Sequence, residues 1–265
     1  MKLDKHIGYK FLTEEKFTID ILMHYFQDAV DEEEFKNSTE FRSTASLLHH
    51  KENKNYYITS TVIEKLDLLK VKQKELKGKM QFDWTYFNSI EPQKITFLTS
   101  TNSAIRFWFT GTHISIFFLQ ELSKGEMKSR GTQDNVWFDF CFVDKRDGTY
   151  HPPTFKEGET DEHKEQYERF IYSLLCFFFL SENELVIVEP NRKYGTKKSG
   201  KVVNSLPFPI TVVNSNWNVT SIRVESFGVA GHFALRWTGQ GRRIPKMVFI
   251  EPYEKGGYVR KAQKK

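Results

Sequence analysis

His232 and Arg236 are the residues of this 265-residue chain whose types and spacing come closest to a reaction centre. They stand in GHFALRW, where His232, Ala234 and Arg236 repeat at period two, so a strand here carries imidazole and guanidinium on one face. An imidazole that moves a proton, beside a guanidinium that stabilises phosphorane charge, is the equipment of metal-independent RNA cleavage. The same pair also suits plain phosphate binding, because arginine's planar fork makes two hydrogen bonds to one oxyanion. A third reading gives them no chemistry, since cations on an edge strand also keep it from pairing with other chains. His232 is thus a candidate catalytic base and, on the binding reading, a hydrogen-bond donor to phosphate.

The surrounding text favours binding. Arg242, Arg243 and Lys246 follow in TGQGRRIPK, and Arg260 stands in the closing YVRKAQKK, while Arg192, Lys193, Lys197 and Lys198 crowd a glycine-containing loop, NRKYGTKKSGK. Trp237 and Tyr258 are interleaved with these cations, a mixture that stacks unpaired bases while holding phosphates. Phe249 alternates with Val248 and Ile250 and reads as core. Charge is unevenly spread. Residues 191–265 hold fifteen Lys and Arg against three acids, a net +12, whereas residues 1–190 sum to −7. Such a polarised chain favours an acidic partner at its basic end, through counterion release if that partner is nucleic acid. The alternative is that the two regions pack together and neutralise the field.

Other chemistries lack their signatures. TGQGRR and KYGTKKSGK do not match the spacing of a nucleotide-binding loop, and TGQGRR leads into a strand rather than a helix N-terminus. The adjacent His49 and His50 point to different sides of any regular element, and the consecutive acids DEEE at 31–34 do not converge on one ion. Cys141 and Cys176 sit in apolar text and read as buried, reduced thiols. No cofactor and no metal is expected. The longest apolar run, 171–180, is too short to span a bilayer, and the N-terminus lacks a secretory signal, so a cytoplasmic protein with no membrane partner is expected.

The elements that must position the cationic residues are legible as a succession. Thr13 followed by Glu14 and Glu15 predicts a helix N-cap, with an amphipathic helix over 13–35. An extended segment from Asn55 leads to a second helix with Val62, Ile63, Leu66 and Leu69 on one face and a lysine-rich end. Residues 94–120 and 135–143 alternate apolar and aromatic residues as antiparallel strands, and KRDGTY supplies a hairpin turn. Thr160 caps a central helix carrying Phe170, Leu174 and Phe178, and ELVIVEP reads as a buried strand. The strands PITVV, SIRVESFGVAGHFALRW and KMVFIEPY close the chain. The expected class is α+β, a mostly antiparallel sheet with an N-terminal helical region and one central helix packed on the sheet. Residues 1–80 are expected to form the mainly helical region, and residues 81–265 an α+β domain ending in a basic hairpin.

An apolar helix running into a short strand (LLCFFFLSENELVIVEP), a basic glycine loop and strand (RKYGTKKSGKVVNSLPFPITVV), then VAGHFALRW, GQGRR and IEPYEKGGYVR, is an order that resembles a broad group of phage and plasmid proteins. That group is similar to one containing a type V-A anti-CRISPR inhibitor. The resemblance covers residues 170–262. Ala230 and Ala234 stand where the pattern has arginines, which weakens any role needing the full cationic set. The resemblance implies a mobile-element protein acting in the cytoplasm of a bacterial host, interfering with host defence or its expression by engaging RNA, a ribonucleoprotein or a host defence protein. Two alternatives stay open: a small ribonuclease or toxin-like enzyme using His232, and a protein-only inhibitor acting through the acidic helical region.

Overall fold

A computed structural model describes residues 1–14, 53–66, 68–69, 71, 73–76, 79–129, 136–151, 161–195, 201–215, 217–224, 231–239, 241, 244–252 and 257–264. The chain opens with helix α1 (Ile7–Thr13), followed by β1 (Asn53–Ile58) and α2 (Ser60–Leu66). A small ribbon of β2 (Lys74–Leu76) and β3 (Lys79–Gln81) leads to a 3-10 turn, Trp84–Phe87. Then comes the aromatic meander: β4 (Gln93–Thr99), β5 (Ser103–Phe109), β6 (His113–Glu121), the short α3 (Lys124–Ser129), β7 (Val136–Asp144) and β8 (Thr149–His151). Helix α4 (Asp161–Leu180) precedes β9 (Asn183–Val188), β10 (Lys193–Tyr194), β11 (Val202–Val203) and β12 (Ile210–Ser215). The last four strands are β13 (Trp217–Val224), β14 (His232–Thr238), β15 (Ile244–Ile250) and β16 (Gly257–Lys264).

The chain folds as α+β around an eight-stranded sheet in the order β8-β7-β6-β5-β4-β1-β12-β9. Most neighbours are antiparallel, but β1 lies between β4 and β12 and runs parallel to both, Tyr56 pairing with Phe97 on one side and Thr211 on the other. Strand alternation sends successive residues to opposite faces. Ile95, Phe97, Ile105, Phe107, Ile114 and Ile116 therefore line one face, under α2, α4 and the 3-10 turn. Leu98, Ala104, Phe117, Leu119 and Val212 line the other, under α1 and residues 202–208. Each fully buried large apolar side chain contributes about 1.5–3 kcal/mol, so the two aromatic faces dominate stability.

Helix α1 sits tight against the second face. A Cβ at Gly8 would stand 2.2 Å from Leu98 Cδ2 and 3.1 Å from Ala104 Cβ, so any larger residue here forces the buried Leu98 side chain to shift. Its N-cap is His6, whose Nδ1 accepts the Gly8 N–H at 2.9 Å while Nε2 donates to Thr99 O at 2.9 Å. Thr13 is thus the last residue of a helix, where the sequence suggested the cap of one beginning there; residues 15–35, His49 and His50 lie outside the described residues. Arg106 of β5 is fully buried on the same face, its guanidinium 4.0 Å from the Phe11 ring centroid and its Nε donating to Thr96 Oγ1 at 2.9 Å. Burial lowers its pKa to about 9, still above neutrality, so it carries its charge into the interior.

Three other expectations are revised. The second helix ends at Leu66, and Lys74, expected in its lysine-rich tail, is in β2. The segment ELVIVEP does not form a buried strand. It forms β9, the last strand of the sheet among the described residues, with Leu185 54% and Ile187 68% exposed. A continuous apolar run fits either an interior strand or an edge strand, and only the topology decides. Finally, β1 hydrogen-bonds with β4, so residues on either side of position 80 share one sheet. Thr160 lies outside the described residues, but α4 begins directly after it and buries Leu174. Both cysteines are buried and unbridged, and among the described residues no helix is long and apolar enough to cross a membrane.

Candidate nucleic-acid interface

Strands β14 and β15 pair antiparallel, and their register sorts the candidate residues into two rows. Phe233, Leu235 and Trp237 oppose Phe249, Met247 and Pro245 in one row. This row packs inward: Phe233 meets the Phe177 ring of α4 at 6.3 Å and the Phe249 ring at 5.0 Å, both edge-on, and Met247 is buried. The Phe233 N–H donates to Leu68 O at 3.3 Å, fastening the hairpin to the segment after α2. The other row holds His232, Ala234, Arg236 and Thr238, opposite Ile250, Val248, Lys246 and Ile244. His232 and Arg236 therefore share a face, as their spacing predicts.

Arg236 and Lys246 are exposed and directly opposite one another. Like charges at this cross-strand separation repel, and part of that repulsion is relieved by Glu182, whose Oε1 lies 3.3 Å from Lys246 Nζ. The acidic and basic parts of the chain touch at this pair. Gly239 and Gly241, at φ 75° and 69°, adopt the left-handed backbone that the tight turn between the strands demands. Arg242 and Arg243 lie outside the described residues. His232 is half-buried, and its cross-strand partner is Ile250.

Trp237 ends the inward row beyond the edge of the core. It is 43% exposed, and its ring stacks on Tyr86 at 5.1 Å between centroids and 28° between planes. Tyr86 belongs to the 3-10 turn Trp84–Phe87, which is held from several sides. Asp83 caps the turn, accepting the Thr85 N–H at 3.3 Å, and Trp84 and Phe87 are fully buried. Trp84 lies flat on Tyr150 at 5.7 Å and 7°, and its Nε1 donates to Glu168 Oε1 of α4 at 3.0 Å. Tyr172 Oη donates to Asp83 O at 3.0 Å. Burial pushes the Glu168 carboxyl up to about 7, only partly offset by the indole N–H. Behind it, the Tyr150 and Tyr167 hydroxyls are buried beside the Cys141 thiol, whose own pKa burial pushes up.

The remaining candidates do not join this hairpin. Arg192 and Lys193 are exposed, the first just before and the second within the β10–β11 ribbon, whose Tyr194 and Val202 pack in the second cluster, on the opposite face of the sheet from Phe233 and Met247. Lys197 and Lys198 lie outside the described residues. Tyr258 and Arg260 are in β16, which pairs with β13 rather than with β15. Its register aligns Tyr258 with Arg223, Arg260 with Ser221 and Lys264 with Trp217, alternate positions that belong to one face of that ribbon. The cationic set is therefore distributed over separate ribbons. Sequence reasoning missed Tyr86, which meets Trp237 from a distant part of the chain. The local signal available was Asp83 as the cap of a short turn.

Among the described residues no group of three His, Cys, Asp or Glu side chains is placed to hold a metal. The chain matches no protein-family model, curated protein or solved structure.

Proposed function

We propose that this protein binds RNA, free or within a ribonucleoprotein, through the ribbons of its basic C-terminal region. The observation that carries the reading is the outward row of the β14–β15 hairpin, where exposed Arg236 opposes exposed Lys246 and His232 stands in the same row. Two cations facing one another on a narrow ribbon cost free energy in the isolated protein, and a phosphate backbone between them turns that cost into attraction. The β13–β16 register supports the same reading, since it aligns Arg223, Arg260 and Lys264 with Trp217 and Tyr258 on one face.

The resemblance of residues 170–262 to mobile-element proteins supports placing this binding in a bacterial host cytoplasm, where it interferes with host defence or its expression. His232 contributes a hydrogen bond to phosphate. The test is fluorescence anisotropy with a labelled RNA across a salt series. The logarithm of affinity should fall linearly with the logarithm of salt concentration, and Arg236→Glu with Arg260→Glu should weaken binding and reduce the slope by about one per lost contact. Salt-independent binding, or a slope untouched by both substitutions, overturns the proposal.

A further inference from the structure

We infer that the stacked pair of Trp237 and Tyr86 is a platform for an unpaired nucleobase, so that the RNA this protein selects is single-stranded. The inference rests on the RNA-binding reading above and names its substrate class. A tryptophan whose task is only to pin the hairpin end to the 3-10 turn would be expected to sink into the core, as Trp84 does at 0% exposure in that same turn. Trp237 instead stays 43% exposed while Tyr86 lies near-parallel to it at 5.1 Å.

The stack supplies what base recognition needs. Tyr86 backs the indole, so Trp237 has less rotational freedom to lose when a base arrives, and a preorganised ring binds more tightly than a mobile one. Tyr86 in turn is held by rigid structure, because its neighbours Trp84 and Phe87 are fully buried and Trp84 is tied to Glu168 and Tyr150. Tyr86 is thus a positioning residue, and Trp237 is the residue that meets the base. Arg236 is adjacent in sequence and projects to the other side of the strand, directly opposite Lys246. A base on Trp237 therefore brings the phosphates of its strand within range of cations on the same narrow ribbon. Bases inside a duplex are stacked on their neighbours and have no face to offer a side chain, so this geometry discriminates strandedness rather than sequence.

The experiment compares a twelve-nucleotide oligoadenylate with a twelve-base-pair RNA duplex, on wild type, Trp237→Leu, Trp237→Phe and Tyr86→Leu, with circular dichroism confirming that each variant is folded. Wild type should prefer the single strand. Trp237→Leu should lose about tenfold to a hundredfold in affinity for it, the range of one lost base stack, with duplex binding unchanged. Trp237→Phe should retain part of the preference, and Tyr86→Leu should lose an intermediate amount. Equal binding of single strand and duplex, or an equal loss of both in Trp237→Leu, overturns the platform while leaving salt-dependent RNA binding in place. If wild type binds neither RNA even at low salt, the RNA reading itself fails.

Discussion

The Trp84 indole N–H and the Glu168 carboxyl meet at 3.0 Å, joining the 3-10 turn that carries Tyr86 to the helix that covers the sheet. Burial raises the carboxyl to about 7 from an ordinary value near 4.5, so the folded protein binds this proton more readily than the unfolded chain does. Its contribution to stability is fully present below pH 4.5 and is lost as pH rises through 7. Allowing for partial exposure, the loss is about 2 kcal/mol. Glu168→Gln should remove this component. Urea denaturation at pH 5 and pH 8 should show the variant gaining on wild type at the higher pH, and parallel pH profiles would refute the assignment.

His6 has the opposite sign. Its Nδ1 accepts the Gly8 N–H and its Nε2 donates to Thr99 O, so the folded ring is neutral, and burial lowers its pKa below 6.5. A base with a depressed folded pKa stabilises above its unfolded value and loses that stabilisation as pH falls through the folded one. Stability should therefore decline as pH falls below 6.5. His6→Asn keeps a capping acceptor and should flatten this part of the profile while leaving stability at pH 8 close to wild type.

Tyr167 carries a buried hydroxyl with no nitrogen or oxygen partner among the described residues. Its polar neighbour is the Cys141 thiol, and sulfur is a weak hydrogen-bonding atom. A poorly satisfied buried hydroxyl costs free energy, and its removal without change of ring shape is neutral or favourable. Tyr167→Phe should leave the melting temperature unchanged or raise it, by up to about 1 kcal/mol of stability. A marked loss would show that the thiol contact holds the ring in place.

Leu185 and Ile187 stand on the same face of β9, the edge of the sheet among the described residues, and are both mainly exposed. Edge strands that display apolar residues pair with other chains unless charge prevents it. Leu185→Lys with Ile187→Lys should lower concentration-dependent association in light scattering and shift unfolding stability by no more than about 0.5 kcal/mol per site, the usual range for exposed positions. Unchanged scattering would show that this edge is already protected.

Local pattern was enough for the meander. Apolar and aromatic runs in AIRFWF and ISIFFL and strict alternation in VWFDFCFV made β5, β6 and β7 readable, and Asp147 and Gly148 marked the turn into β8. It was equally enough to place His232 and Arg236 on one face of a strand. It failed where the answer lies in distant partners. Nothing in NYYI announces parallel neighbours on both sides, and nothing in ELVIV distinguishes an interior strand from an edge. Arg106 hides in an aromatic strand because its stabilising ring, Phe11, comes from a helix far away in the sequence. The cationic set reads as one surface because its members follow one another along the chain. In the fold, the ribbon that carries Lys193 packs through Tyr194 and Val202 on one face of the sheet, and the hairpin that carries Arg236 packs through Phe233 and Met247 on the other.

The position of β1 between β4 and β12 has a consequence for synthesis. Its second neighbour, Ile210–Ser215, follows Ile58 by about 150 residues. At a translation rate of about 5–20 residues per second, the β12 side of β1 stays unpaired for roughly eight to thirty seconds on the ribosome. During that interval Tyr57 and Ile58, buried in the finished protein, have no strand on one side. A nascent chain of this protein should therefore need protection from aggregation until β12 emerges, and a truncation before residue 210 should be degraded rather than fold.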